Sequence, residues 1–531
     1  MRDWWRRAVV YEVYIRSFAD SDGDGVGDIN GIRSRLPYLR DLGVDAIWIT
    51  PWYPSPMADG GYDVADYRDI DPLFGALADA DALVREAHTH GLRVLIDLVP
   101  NHTSSAHPWF VEALASSLGS RARRRYWFRD GRGPDGSAPP TDAQSVFGGS
   151  AWTRVTEADG RPGQWYLHLF ALEQPDLCWE DPDVRTEFEG ILRFWFDRGV
   201  DGFRIDVADM LVKDPTAIDS PESLPPDASY PFSDQPGVFE IHRSWRRIAD
   251  AEIPPRVLVG EIHGARPERD ARYLRSDGLH GAFNFSFLRS PWEAEALREV
   301  IRAAVTAFGA VGAPPTWVLS NHDEIRHVTR YGGSDVALGT RRARAAALLM
   351  LALPGVVYLY QGEELGLPEV TDLPDDALQD PVWTRSGHTK RGRDGCRVPL
   401  PWSGDVAPYG FGPEGSVPWL PQPESWGTFA ADRQGRDPWS MLALYRSALA
   451  IRRTHPDLAG ADVKLLEDRP GVVHLRRGDR FGAVIVFDGG PVDLPPAAAV
   501  LLASGPLDSG TVPADTAAWY EASQETSIGT S

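Results

Sequence analysis

Cysteine is nearly missing. Only Cys178 and Cys396 occur in 531 residues, too few for a disulfide framework and without metal-ligand spacing, which permits a reducing compartment. Long hydrophobic runs are missing as well. The most apolar stretch, "AAALLMLALPGVVYLY" (345–360), is too short to span a bilayer and is broken by Pro354-Gly355. It predicts a buried helix end turning into a strand. Positive charge is in deficit: 54 Lys and Arg against 76 Asp and Glu leave a net −22. That balance argues against a nucleic-acid backbone or an anionic membrane as partner. The start, "MRDWWRRAVVYEVYI", lacks a signal-peptide cleavage site, so the expected location is the cytoplasm.

What is present is a long chain with a repeating pattern. Its length allows about three domains. Nineteen tryptophans supply broad apolar faces with one polar handle, which suits sugar rings, although most should serve packing. Strand-like runs at 9–15, 46–50, 93–99, 202–207, 256–262, 315–323 and 356–362 alternate with helix-like segments. "GAFNFSF" (281–287) supplies an eighth strand. Continuous apolar strands between helices point to an α/β fold in which a (β/α)8 TIM barrel carries the active site at its C-terminal strand ends. On pattern alone an open doubly wound sheet is the alternative. The barrel is expected over 1–102 and 177–455. Turn-rich residues 103–176 interrupt the rhythm as an inserted subdomain after strand three. Short strand signals from 456 to 531 predict a C-terminal antiparallel β domain, sandwich-like, with a frayed tail.

Four strand ends carry chemistry: "DLVPNH" (97–102), "GFRIDV" (202–207), "GEI" (260–262) and "NHDE" (321–324). Residues two apart on a strand share a face, so Arg204 and Asp206 point into one space. Arg204 is expected to keep Asp206 ionised and fixed, ready to attack a sugar carbon. Glu261 is the matching acid, its pKa expected to rise through burial and neighbouring carboxylates. Asp323 adds a third carboxylate to hold sugar hydroxyls. A lone Arg-x-Asp is usually an internal ion pair, but four such ends in order are not. His102 and His322 read as donors to sugar hydroxyls, and no histidine spacing suggests a catalytic metal. The loop "DSDGDGVGD" sets Asp20, Asp22, Asp24 and Asp28 among glycines, near calcium-loop spacing, although Gly31 stands where an EF-hand needs a closing Glu.

These motifs resemble the α-amylase superfamily, glycoside hydrolase family 13, on its α-glucosidase and oligo-1,6-glucosidase side. "DLVPNH", "GFRIDVADM", "GEI", "SNHD", "QGEELG", "QPDLCW" (174–179) and "DSDGDGVGD" cover nearly the whole chain. The resemblance implies Asp206 as nucleophile, Glu261 as acid/base and Asp323 as transition-state stabiliser. It implies Asp97 as the carboxylate organising Arg204, and Tyr62 as the ring that stacks on the sugar. Asp63 and Arg397 are implied as a pair closing the pocket beyond the terminal glucose, and the Val26 carbonyl as a further Ca²⁺ ligand. Cys178 stands where the family has Asn, implying a looser polar contact between the insert and the barrel. Val207 resembles 1,6-specific relatives, whereas "HVTRYGG" (327–333) resembles 1,4-preferring ones, which leaves linkage open.

The implied activity is that of a retaining exo-acting α-glucosidase acting on maltose- or isomaltose-like substrates. It would need no organic cofactor but would carry a structural Ca²⁺. Its partner would be a small α-glucoside, with no nucleic acid and no membrane, and the protein would be a monomer or homodimer. The rivals are a trehalose synthase or sucrose isomerase type transferase, and a non-catalytic scaffold or transporter-associated homologue. The scaffold is disfavoured by the three carboxylates.

Overall fold

The computed structural model describes residues 3–157, 159–214, 232–263, 266–466 and 469–522. Three strands come first: β1 (Val9–Val13), β2 (Ala46–Ile49) and β3 (Arg93–Leu98). An insert carries β4 (Phe128–Arg129), β5 (Trp152–Thr156) and β6 (Pro162–Leu167). Then follow β7 (Gly202–Ile205), β8 (Val257–Gly260), β9 (Gly281–Ala282), β10 (Thr316–Val318) and β11 (Val356–Tyr360). Outside the insert these eight form one parallel sheet in the order β10–β11–β1–β2–β3–β7–β8–β9. Sequential strands are therefore neighbours, and β11 returns to β1, as a barrel requires. β1 and β11 are buried along their whole length, covered on both faces as the continuous apolar runs predict.

Two details depart from the sequence pattern. The stretch 281–287 is a strand only at Gly281–Ala282. Asn284 then accepts a bond from the Phe287 amide and caps a helical turn, Phe285–Leu288, which ends the strand by satisfying the backbone locally. Secondly, β9 and β10 share no ladder among the described residues, so the barrel is nearly closed there, with the two strands adjacent but unpaired. A Cβ built on Gly281 would lie 3.8 Å from Thr316 Oγ1. The apolar run 345–360 becomes helix Val336–Ala352 and then β11. Gly355 turns between them at φ +98°, where a Cβ would strike the Pro315 carbonyl at 2.1 Å, so only glycine fits.

The insert's strands form an antiparallel sheet, β4–β6–β5, over its own cluster of Trp127, Trp152, Leu167 and Leu169. Polar contact with the barrel survives Cys178. Lys213 Nζ reaches Asp176 Oδ2 at 2.9 Å and Asn101 Oδ1 at 2.5 Å, all three residues being buried. Beyond the barrel, β12 (Lys464–Leu466), β13 (Val472–Arg477), β14 (Phe481–Val486), β16 (Ala499–Ala503) and β18 (Thr516–Glu521) make an antiparallel sheet. A second small sheet pairs β15 (Val492–Asp493) with β17 (Thr511–Val512). Trp519 of β18 seats this domain on helix Val336–Ala352, its Nε1 donating to the Leu348 carbonyl at 3.0 Å. The tail from 523, expected to fray, lies outside the described residues. Both cysteines are free thiols. Among the described residues no helix is long and apolar enough to cross a membrane.

His280, just before β9, links barrel packing to pH. Its Nδ1 accepts from the Leu258 amide of β8 at 3.1 Å, and burial holds its pKa down to about 3. Protonation would destroy that acceptor. Since the folded pKa lies below the unfolded value, this contribution is fully present above about pH 6.5 and is lost as pH falls toward about 3. The stability advantage of wild type over His280→Gln should therefore shrink by ~3–5 kcal/mol across that window. Urea titrations of both proteins at several pH values read this directly.

Candidate active site

The strand ends assemble around one guanidinium. Asp97 closes β3 and Arg204 lies in β7, with Asp206 and Glu261 just past β7 and β8. Backbone bonds continue the ladders beyond the strands: the Asp206 amide donates to the Leu98 carbonyl and the Glu261 amide to that of Ile205, both at 2.8 Å. Arg204 Nη1 lies 2.9 Å from Asp97 Oδ1 and 2.7 Å from Asp206 Oδ1. Its Nη2 reaches Glu261 Oε1 at 2.8 Å. The guanidinium sits 4.9 Å from the centre of the Trp48 ring, a cation–π floor. The second oxygen of Asp97 is held by Trp48 Nε1 and the Tyr62 hydroxyl, each at 3.0 Å.

One cation thus faces three buried carboxylates. Burial pushes Asp206 well above the ordinary carboxylate range and the Glu261 carboxylate adds to that push, against the pull of Arg204. Asp97 is likewise pushed up to about 6 by burial. Against the expectation that Arg204 alone sets the charge of Asp206, the guanidinium is shared three ways, and burial with the Glu261 carboxylate pushes Asp206 up more than Arg204 pulls it down. Backbone strain marks the same place. Val207 has φ +45°, rare for a β-branched residue, and its amide donates to Glu261 Oε2 at 3.1 Å.

Asp323 follows β10 and lies in a cationic corner. Arg393 Nη1 and Arg397 Nη2 both donate to its Oδ1, at 3.0 and 2.8 Å. Burial pushes its pKa up, but the arginines Arg393, Arg397 and Arg204 oppose it and hold Asp323 well below the usual range. His322 stacks on Tyr62, centroids 5.3 Å apart and 7° from parallel. His102 Nε2 meets the Tyr62 carbonyl at 3.1 Å, and burial lowers its pKa to about 4. Asp59, Tyr62, His102, Asp206, Glu261, Asp323 and Arg393 line one cavity of ≈ 180 Å³, sized for one ring rather than a chain.

The pair expected at its closed end is different. Asp63 turns away from the cavity: its Oδ1 accepts from Ser55 Oγ at 2.9 Å and the Asp59 amide at 3.1 Å. Burial pushes its pKa up to about 6. Arg397 bonds Asp323 and, through Nε, the His322 carbonyl at 2.8 Å, and not Asp63. The Asp–Arg pair is Asp59 with Arg393, Oδ1 to Nη2 at 2.5 Å. Gly60 and Gly61, at φ +59° and +106°, turn the chain between Asp59 and Tyr62 so that the earlier aspartate faces inward. The insert completes this wall. Gln174 Nε2 donates to Asp59 Oδ2 at 3.1 Å and meets His102 Nε2 at 3.0 Å, while Phe147 and Phe170 supply apolar surface. The sequence holds a signal for each: "ADGGYD" contains two aspartates, and "RDGCR" has an arginine at both ends.

The acidic loop is separate. Asp20, Asp22 and Asp28 bring carboxylate oxygens within 4.8 Å of one another, which suits a hard, oxygen-loving cation. Asp24 uses Oδ1 to accept from the Val26 amide at 2.8 Å and stands outside that group of three. Asp28 also caps helix Ile29–Leu42, accepting from the Gly31 amide.

Comparison with known proteins places the chain in a family. Residues 12–461 match the alpha amylase catalytic domain. The chain is 40% identical over 499 residues to a Rhizobium meliloti (strain 1021) protein named "Probable alpha-glucosidase", covering 90% of this chain and 87% of that one. It is 35% identical over 512 residues to the oligo-1,6-glucosidase of Parageobacillus thermoglucosidasius, covering 90% and 88%. The crystal structure of the alpha-glucosyl transfer enzyme XgtA superimposes with a TM-score of 0.86 at 35% identity, covering 98% of this chain and 99% of that one. This chain belongs to the alpha-amylase family, glycoside hydrolase family 13. It is an enzyme of the glucosidase type within that family.

Removing the shared cation should be costly. Arg204→Met leaves three buried carboxylates without their partner, and urea unfolding should show a loss of ~3–5 kcal/mol in stability.

Proposed function

We propose that this protein is a retaining exo-acting α-glucosidase that removes the terminal non-reducing glucose from short α-glucosides such as maltose or isomaltose. The observation that carries this is the Asp59–Arg393 pair at 2.5 Å, set against Asp323 in a ring-sized cavity. A charged pair across one end leaves room for the hydroxyls of a chain terminus and none for another sugar. Charge supports an uncharged substrate. The lining carboxylates Asp59, Asp206, Glu261, Asp323 and Glu324 outnumber Arg289 and Arg393, and Arg289 is already paired with Glu324 at 2.7 Å.

In this reading Glu261 acts as the general acid and Asp206 as the nucleophile. An Asp206 oxygen attacks the anomeric carbon, the glycosidic bond breaks, and Glu261 gives its proton to the leaving oxygen. Water then loses a proton to Glu261 and attacks the same carbon, and the bond to Asp206 breaks. Two inversions return the α configuration. Both carboxylates contact the terminal nitrogens of one guanidinium, which supports a nucleophile and an acid acting on one bond. Asp323, His102 and His322 hold the ring hydroxyls, Tyr62 stacks beneath them, and Asp97 fixes Arg204.

A second reading is transfer of the glucosyl group to another sugar. It uses the same first half-reaction and draws support from the likeness to XgtA. A proton NMR time course with maltotetraose separates the possibilities. The expected early products are α-glucose and maltotriose. Early β-glucose would exclude a retaining enzyme, early maltose would exclude exo-action, and accumulating new linkages would assign a transferase. Asp206→Asn should keep the fold and lose turnover by a factor on the order of 10⁴.

We also propose that the acidic loop holds one structural Ca²⁺ through Asp20, Asp22 and Asp28, with Asp24 and the Val26 carbonyl brought in on binding. The ion would tie the loop to the start of helix Ile29–Leu42. Calcium should then raise the thermal midpoint of chelator-treated protein, whereas Asp22→Ala protein should not respond.

A further inference from the structure

Glu12 lies in the middle of β1, only 1% exposed, and no step above uses it. Its Oε1 is 2.5 Å from Nδ1 of His322. The His322 ring has no freedom to turn. It is sandwiched between Tyr62 and Tyr14, the second stack having centroids 5.7 Å apart and an angle of 21°. Its far nitrogen, Nε2, stands 3.4 Å from Asp323 Oδ2 and makes no hydrogen bond within the protein. It is the one polar side-chain atom of His322 without a hydrogen bond, and it lies on the Asp323 side of the ring.

Proton bookkeeping on this ring is restrictive. Asp323 is an ionised carboxylate in its arginine corner, so a bare lone pair on Nε2 would face negative charge, and Nε2 must carry hydrogen. A neutral imidazole with hydrogen on Nε2 has a lone pair on Nδ1 and needs a donor there. An ionised Glu12 could only accept. Burial favours the uncharged form of both partners, pushing Glu12 well above the usual carboxylate range and His322 well below 6.5. The other charges near Glu12 divide: Arg204 favours its ionised form, while Asp97 and Asp323 oppose it.

We propose that Glu12 is a positioning residue: as an undissociated acid it donates to His322 Nδ1 and so fixes His322 as an Nε2–H donor to the sugar. The inference rests on the glucosidase reading of the site. It explains why a carboxyl group is built into the barrel core, where an unpaired polar group is costly. It also explains how His322 can sit beside Asp323 as a donor without carrying charge.

The test compares a substitution that keeps the donor with one that removes it. Glu12→Met keeps the volume but has no donor, and it should lower kcat by about 10-fold or more with KM changed by less than about 3-fold. Glu12→Gln, whose amide donates to Nδ1, should recover most of that loss and stay within about 5-fold of wild type. In a His322→Asn background, Glu12→Met should cost less than about 2-fold, because its effect passes through the histidine. Equal losses for Met and Gln, or the same cost of Glu12→Met in both backgrounds, would overturn the proposal. Should Glu12→Met fail to fold, Glu12→Gln decides alone, and a loss beyond about 5-fold in folded protein overturns it. Asp206→Asn run alongside separates the two levels. Activity there would remove the glucosidase site itself, whereas an inactive Asp206→Asn with an additive cycle would remove only the role of Glu12.

Discussion

The arrangement depends on one guanidinium being shared. Arg204 sits at the bottom of the cavity over the Trp48 ring, with Asp97, Asp206 and Glu261 all within 2.9 Å of its terminal nitrogens. An ion pair of one with one would be a structural feature of the barrel. One with three is not balanced, and burial together with the neighbouring acids pushes Asp206 and Asp97 above the ordinary carboxylate range. Geometry follows from the same contact. The three acids come from one strand, β3, and the ends of two others, β7 and β8, so the parallel ladder β3–β7–β8 sets their spacing before any side chain is chosen.

The proton economy spreads outward from there. Asp323 is drawn the other way, into a corner where Arg393 and Arg397 keep it charged, and Glu12 and His322 are both neutral between the two regions. Within one barrel mouth and core, Glu12, Asp97 and Asp206 are therefore pushed up while Asp323 is drawn down. Their surroundings, rather than their chemistry, separate them. The strained Val207 amide on Glu261 belongs to this arrangement, since relaxing that backbone would remove a donor from the acid.

Much of this was legible in the chain. Continuous apolar strands gave the barrel because burial on both faces leaves no alternation to misread. Arg204 and Asp206 could be placed in one space because strand periodicity is fixed at two. What failed lay where periodicity ends. In "ADGGYD" two positive-φ glycines decide which aspartate faces the cavity, and in "RDGCR" a short helical turn, Asp394–Cys396, sends both arginines toward Asp323. Spacing along the chain does not encode such turns. "GAFNFSF" does supply the eighth strand, but it stops at Ala282 for a related reason, since Asn284 offers the backbone a cap and aromatic β-propensity yields to it. Glu12 escaped notice because a single acid in an apolar strand looks like a solvated residue until its partner, 310 positions away, is known.

The Asp59–Arg393 barrier also has a consequence for traffic. A groove open at both ends lets a polymer slide, so that one encounter can yield several cleavages. Here the wall made by Asp59, Arg393, Gln174 and the insert's phenylalanines leaves a single door. Whatever is cut off outside must depart before the sugar held inside can follow. Each turnover then requires the cavity to empty completely, and a long chain must let go and return for every unit removed. Throughput in such an enzyme is set as much by the exit of one small sugar as by the bond it breaks.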